Sequence, residues 1–128
     1  YNCRTGVMDY TNAGHNPPSI LRRNRSAAYL PVASNFVVGV FDDIEFESNT
    51  LEFGVGDTLL LYTDGVTEAF NDKREQFSED KLQEVLGALQ EDTSAKEVVT
   101  QVLHSVRAFS GDYPQSDDIT LLSLQRIR

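Results

Sequence analysis

The feature that most constrains the fold is a nearly unbroken apolar run at residues 58–63, Thr-Leu-Leu-Leu-Tyr-Thr, followed at once by Asp64 and Gly65. A run of this length has the size of a strand, and apolar side chains at consecutive positions require cover on both faces of a sheet. It is far too short to cross a membrane as a helix, which takes about 20 residues. We therefore expect a central, buried strand with an acidic residue at its end.

Short strands are predicted before this run. Turn residues and alternation indicate a hairpin within residues 1–12 and a second hairpin over residues 19–32 that turns at Asn24. Residues 44–48, Ile-Glu-Phe-Glu-Ser, alternate apolar and charged side chains, which predicts a half-buried strand.

Helices are predicted after the run. Residues 82–89 carry leucine and valine at i, i+3, i+4, i+7 spacing, the pattern of an amphipathic helix that starts near Ser78. Thr93 or Ser94 caps a second helix, and residues 119–127 form a final strand. Strands, two helices and a strand in this order predict an α+β domain.

Composition limits the function further. The 128 residues suit one domain, and 20 acidic against 11 basic residues give a formal charge of −9. This balance argues against nucleic acid or an anionic membrane as partner, since Lys and Arg bind polyanions. The single cysteine, Cys3, fits a reducing compartment, so we expect a cytoplasmic protein. The chain starts at Tyr1, inside an apolar-polar pattern, and we expect it to be a fragment.

Acidic residues adjoin two of the predicted strands. Asp64 follows the central strand, and Asp117 and Asp118 come just before the last strand. If the two strands are antiparallel neighbours, these carboxylates converge and favour a hard cation such as Mg²⁺ or Mn²⁺ over zinc. The alternative is that Asp64-Gly65 is only a turn and Asp117-Asp118 a solvated loop. Spacing alone leaves both interpretations open.

Three blocks of sequence resemble the SpoIIE-like bacterial serine/threonine phosphatases of the metal-dependent (2C-type, PPM) superfamily. Residues 10–18, Tyr-Thr-Asn-Ala-Gly-His-Asn-Pro-Pro, resemble the Asn-Ala-Gly-His-x-Pro-Pro loop of that family. Residues 56–69 resemble its Asp-Gly-Val block, and residues 115–122 its last block. They occur in the family's order and span nearly the whole chain.

The resemblance implies an antiparallel β-sandwich flanked by helices and two Mn²⁺ or Mg²⁺ ions at one end. The ions would activate a water that hydrolyses phosphoserine or phosphothreonine without a covalent intermediate. By motif, Asp64 and Asp117 would bind metal. Asp118 stands where many relatives have Asn, so it would be a weaker ligand or would contact the metal ligands without binding the metal itself.

The resemblance also assigns residues around the metals. Asn12, Gly14 and His15 would form a loop near the active site; for His15 the alternative is a histidine bonded to the backbone within that loop. Gly65, Glu68 and Asn71 would belong to a switch region that repositions on activation. The alternative for Glu68 and Asn71 is an acid in the first turn of a helix and a loop asparagine.

One block of the family is missing, the Gly-Asp motif of an N-terminal strand. We therefore expect residues 1–128 to be a single phosphatase domain without its N-terminal strands and first acidic motif, and impaired in isolation. The expected partner is a phosphorylated regulatory protein such as an anti-sigma-factor antagonist, and open sheet edges would favour a homodimer. A non-catalytic, pseudophosphatase-like module that binds phosphoproteins is the alternative.

Overall fold

A computed structural model describes residues 1–24, 26–33, 35–41 and 43–128. Within these ranges the chain forms six strands and three helices. The strands are β1 (Val7–Tyr10), β2 (Ser19–Leu21), β3 (Ala27–Tyr29), β4 (Asn49–Glu52), β5 (Thr58–Tyr62) and β6 (Leu121–Gln125), and the helices are α1 (Asp64–Thr67), α2 (Ser78–Gly87) and α3 (Ala95–Ser110).

The strands form two antiparallel sheets. The larger has the order β3-β2-β5-β6, and the smaller pairs β1 with β4. The hairpin of β2 and β3 is the one predicted around Asn24. The predicted α+β class, with antiparallel sheets and helices, is confirmed.

Strand β5 is central, as its apolar run predicts. On one face Leu60 and Tyr62 are 1% and 2% exposed and belong to a core shared with the helices. On the other face Leu59 is buried in a second core with residues of the smaller sheet, whereas Leu61 is only half-buried. Cover on both faces explains why nearly every position of β5 is apolar.

The two long helices bury the predicted stripes. In α2, Leu82 and Leu86 are buried, and in α3 the buried residues are Val98, Val102 and Val106. Ser94 forms a complete capping box with Glu97 at the start of α3, which decides between the two predicted caps. In the described part of the chain no helix is both long and apolar enough to cross a membrane.

One predicted strand and one predicted hairpin are wrong. Residues 44–48 form no strand, because the side-chain amide of Asn35 takes both backbone hydrogen bonds of Glu47, at 2.9 Å each. The hairpin within residues 1–12 reduces to a single bridge between Asn2 and Val7. Strand β1 pairs instead with β4.

Candidate functional site

The candidate site lies where β5 ends and β6 begins. These strands are antiparallel neighbours, with Tyr62 opposite Leu121. The ladder continues one step further, because the Thr63 N–H donates to the main-chain oxygen of Thr120 at 3.1 Å. The residues that follow Thr63 and precede Thr120 therefore meet at one end of the sheet, which fulfils the condition for convergence of the acidic residues.

Gly65 brings the two acidic segments into contact. A Cβ on Gly65 would lie 2.5 Å from the main-chain oxygen of Asp118 and 3.1 Å from that of Asp117. Side chains do not tolerate the first of these distances, so the start of α1 approaches the Asp117-Asp118 backbone only because residue 65 has no side chain. Packing therefore requires glycine at this position.

The three carboxylates differ in their local partners. Asp64 opens helix α1, and its Oδ1 accepts the Gly65 N–H at 3.0 Å. Asp117 Oδ1 accepts the Asp118 N–H at 2.6 Å, and the main-chain oxygen of Asp117 accepts Gln115 Nε2–H at 2.8 Å. All three aspartates are exposed, so their carboxylates keep access to solvent and to ions.

The donor chemistry at this end of the sheet suits a hard cation. Carboxylate and main-chain oxygens are the ligands that Mg²⁺ and Mn²⁺ take, and no sulfur or imidazole adjoins the aspartates in their loops. Across the described residues, however, no three His, Cys, Asp or Glu side chains come together as a metal-binding group. The residues present therefore supply only part of the donor set that a metal site needs.

The loop that carries Asn12 is held together by side-chain hydrogen bonds. Asn12 is buried, its Nδ2 donates to the main-chain oxygen of His15 at 2.8 Å, and its Oδ1 accepts the His15 N–H at 2.9 Å. From outside the loop, Asn35 Nδ2 donates to the main-chain oxygen of Asn12 at 3.0 Å. The side-chain amide of Asn12 thus replaces the backbone hydrogen bonds that the prolines of this segment cannot supply.

Gly14 and His15 lie on the exposed side of this loop. Gly14 has a φ of +87°, a conformation that favours glycine, and a Cβ there would also displace the exposed side chain of Val37, whose Cγ2 would lie 2.5 Å away. His15 Nδ1 lies 3.0 Å from the main-chain oxygen of Asn16, the backbone contact of the alternative interpretation. The loop also walls a small apolar cavity of about 160 Å³ between the sheets.

The predicted switch residues have local partners. Glu68 is exposed and ends α1, and its N–H donates to the main-chain oxygen of Asp64 at 2.8 Å. Asn71 is buried and organises the turn that follows: its Nδ2 donates to Glu75 Oε2 at 2.8 Å, and its Oδ1 accepts the N–H groups of Lys73 and Glu75. Asn71 therefore has the structural role of a loop asparagine; a part in switching stays a prediction.

Sequence reasoning missed the threonines beside the acidic residues. Thr63 Oγ1 donates to the main-chain oxygen of Asp118 at 2.7 Å and accepts the Thr120 N–H at 2.9 Å. Both threonines belong to the sequence blocks that resemble the phosphatase family. Thr63 directly precedes Asp64, and Thr120 follows Asp118 after Ile119. Their position at the ends of the two strands is the signal that could have identified them.

Comparison with known proteins gives a consistent picture. The family model described as "Stage II sporulation protein E (SpoIIE)" matches residues 1–127. Phosphoserine phosphatase RsbP of Bacillus subtilis is 41% identical over 61 residues, which are 48% of this chain and 15% of RsbP. Phosphoserine phosphatase RsbU of the same organism is 28% identical over 126 residues, 98% of this chain and 37% of RsbU.

The fold is also that of a solved phosphatase domain. The manganese-presoaked phosphatase domain of the cell fate determinant SpoIIE from Bacillus subtilis superimposes with a TM-score of 0.73 at 18% identity. The match covers 99% of this chain and 53% of that one. This chain therefore spans well under half of each of the two curated relatives and about half of the solved domain.

Proposed function

The chain belongs to the SpoIIE family of PP2C-type (PPM) phosphatase domains, and on that premise we propose that it is the C-terminal part of a domain that hydrolyses phosphoserine or phosphothreonine on a regulatory protein. The observation that carries the proposal is the packing of Gly65 against the backbone of Asp117 and Asp118, which joins the two acidic blocks at one sheet end. The first acidic block then lies in a part of the parent protein outside residues 1–128.

In this proposal Asp64 and Asp117 are metal ligands, and Asp118 is an outer or weaker one. Asp117 is suited to its role because its Oδ1 is held by the Asp118 N–H, which orients Oδ2 without occupying it. When bound, two Mn²⁺ or Mg²⁺ ions supply an activated water and neutralise charge on the phosphoryl oxygens. The chain's own contribution is to hold the carboxylates at a fixed separation, through Thr63 and Gly65.

Two further segments complete the proposed site. The loop of Asn12, Gly14 and His15 forms a wall near the reacting phosphate, and its hydrogen bonds support a fixed position. Gly65, Glu68 and Asn71 form the switch region, whose short helix α1 starts at the ligand Asp64. A movement of α1 would therefore displace a metal ligand directly.

The proposed partner is a cytoplasmic phosphoprotein such as an anti-sigma-factor antagonist. The support is the similarity to RsbP and RsbU, which are phosphoserine phosphatases by name. We also propose self-association through β6, an edge strand of the larger sheet whose Leu122 and Leu124 are 61% and 46% exposed. Sedimentation of wild-type chain and a Leu122→Glu/Leu124→Glu variant tests this: dissociation of a wild-type dimer in the variant is expected, and a monomeric wild type would contradict it.

A non-catalytic phosphoprotein-binding module is the second candidate. One observation favours it: in the described ranges no third acidic side chain joins Asp64 and Asp117. Two carboxylates hold a hydrated Mg²⁺ or Mn²⁺ weakly.

The deciding experiment combines calorimetric titration with Mn²⁺ and a phosphatase assay on a phosphoserine peptide. We expect weak Mn²⁺ binding by residues 1–128, and tight binding with hydrolysis by the parent protein that carries the preceding segment. Asp64→Asn should abolish both, whereas Asp92→Asn, which removes an exposed charge between α2 and α3, should leave them unchanged. Phosphopeptide binding without hydrolysis by the parent protein would replace the enzyme with the binding module.

A further inference from the structure

A cleft of about 190 Å³ adjoins the candidate site at Gly65. Gly65 forms one wall, the C-terminal end of α3 forms another with Arg107, and the loop before β6 closes it with Tyr113 and Ser116. Phe70 and Tyr113 pack as an aromatic pair with ring centroids 6.2 Å apart. The cleft therefore combines an apolar wall with a cationic group.

Arg107 has no assigned partner in this cleft. Its side chain is exposed and makes no ion pair and no hydrogen bond with any described residue, and its main-chain oxygen accepts the Gly111 N–H at 2.9 Å. Among the described residues one ion pair is present, between Arg22 and Asp57, so Arg107 is distinguished by its position at the cleft and not by its lack of a partner. A positive charge in the last turn of a helix is favourable by itself, so a purely structural role is the competing explanation.

The position of the cleft indicates which molecule would use it. Gly65 belongs both to the cleft and to the contact with Asp117 and Asp118. An extended peptide advances about 3.3–3.6 Å per residue, so a peptide whose phosphoserine lies at Asp64 can place a neighbouring side chain in the cleft. Charge complementarity with Arg107 selects a carboxylate for that side chain, and the aromatic wall can contact its methylene stem.

We propose that this cleft is a specificity subsite in which Arg107 binds an acidic side chain of the substrate, close in sequence to the phosphoserine. The inference rests on the proposed phosphatase function. It makes Arg107 a determinant of which phosphoproteins are bound, with no part in the chemical step.

The test is a binding measurement that needs no turnover. The intact protein is titrated with fluorescent Ala-rich peptides that carry a non-hydrolysable phosphonate analogue of phosphoserine, in the presence of Mn²⁺. Glu is placed in turn at each of three positions on either side of the analogue, and each peptide has a Gln counterpart. The variants are Arg107→Gln, Arg107→Lys and Arg107→Glu. The matched control is Lys96→Gln, which removes one positive charge from the other end of the same helix.

At one or two positions we expect the Glu peptide to bind about two- to fivefold more tightly than its Gln counterpart, the range of a solvent-accessible ion pair. Arg107→Gln should remove that preference, Arg107→Lys should retain part of it, Arg107→Glu should reverse it in favour of the Gln peptide, and Lys96→Gln should change nothing. A purely structural Arg107 would not respond to the peptide sequence.

Two results would overturn the inference. One is the same affinity for Glu and Gln peptides at every position. The other is an equal loss for both peptides in Arg107→Gln, which would mean that Arg107 binds the phosphate or only stabilises α3. A separate arm tests the underlying function: if serine peptides bind as tightly as their phosphonate counterparts, the phosphatase proposal fails, whereas the subsite is still judged by the Glu/Gln ratio.

Discussion

The side-chain hydroxyl of Thr63 donates a hydrogen bond of 2.7 Å to the main-chain oxygen of Asp118. The same hydroxyl oxygen accepts the N–H of Thr120 at 2.9 Å. One side chain therefore ties the end of β5 to the start of β6, between the two acidic blocks. We expect the position of Asp64 relative to Asp117 to depend on this tie and on the close approach of Gly65.

Thr63→Val should loosen the acidic pair. The substitution keeps the shape but removes both hydroxyl hydrogen bonds, so we expect a loss of about 1–3 kcal/mol in the free energy of unfolding. Groups that position metal ligands change metal affinity by roughly 10–100-fold, and we expect Mn²⁺ binding to weaken to that extent. Thr63→Ser, which keeps the hydroxyl, is the control. Unchanged Mn²⁺ binding in Thr63→Val, measured by calorimetry, would show that the tie does not position the ligands.

Gly65→Ala should be far more damaging than another glycine substitution. The new Cβ would lie 2.5 Å from the main-chain oxygen of Asp118, which cannot move without displacing β6. We expect a destabilisation of about 1–3 kcal/mol by overpacking, with loss of Mn²⁺ binding. In Gly87→Ala nothing lies within 4 Å of the new Cβ, and the change should stabilise α2 by up to about 1 kcal/mol. Urea denaturation of the two variants checks this; equal stabilities would contradict it.

Local signals explain what could be predicted from the sequence. The apolar run of β5 and the spacing of α2 and α3 are encoded in adjacent residues, so these elements are where they were expected. The juxtaposition of Asp64 and Asp117 required one further condition, the pairing of β5 with β6, which the sequence left open. Once that pairing is known, the convergence of the two acidic segments follows, whereas the role of Asp64 and Asp117 as metal ligands stays a prediction.

Long-range partners explain what could not be predicted. The alternation at residues 44–48 would suit a strand, but both backbone hydrogen bonds of Glu47 go to the side chain of Asn35. No local pattern in the sequence reveals that contact. Strand β1 likewise pairs with the distant β4 and not with its predicted neighbour. Arg107 belongs to no motif, since its cleft exists only after α3 packs beside the loop that precedes β6.

Leu60→Ala should show that the helix-facing core holds the domain together. Leu60 is 1% exposed and packs with the buried residues of all three helices. Truncation of a buried leucine costs about 2–5 kcal/mol, and we expect a loss of unfolding free energy in that range. Ile127→Ala, at a side chain that is 75% exposed, is the matched control and should stay within about 0.5 kcal/mol of wild type. Equal losses in chemical denaturation would contradict this role of Leu60.

The domain should become less stable in acid, because the capping box of α3 needs the ionised carboxylate of Glu97. The pKa of the Glu97 carboxyl is lowered from its ordinary value of 4.5, first by the hydrogen bond from the Ser94 side chain and then by that from the Ser94 backbone N–H. Because the lowered pKa belongs to the folded state, the contribution of Glu97 is complete above about pH 4.5 and is lost as the pH falls through the folded value.

We therefore expect the stability difference between wild type and Glu97→Gln to be constant near neutral pH and to shrink as the pH falls below about 4.5. Ser94→Ala, which removes the main cause of the lowered pKa, should destabilise the domain by about 0.5–2 kcal/mol at pH 7. Glu91→Gln removes an exposed acid outside the cap and serves as control. Denaturation curves from pH 7 to pH 3 provide the measurement. A difference between wild type and Glu97→Gln that stays the same across this range would mean that the capping carboxylate does not couple proton binding to folding.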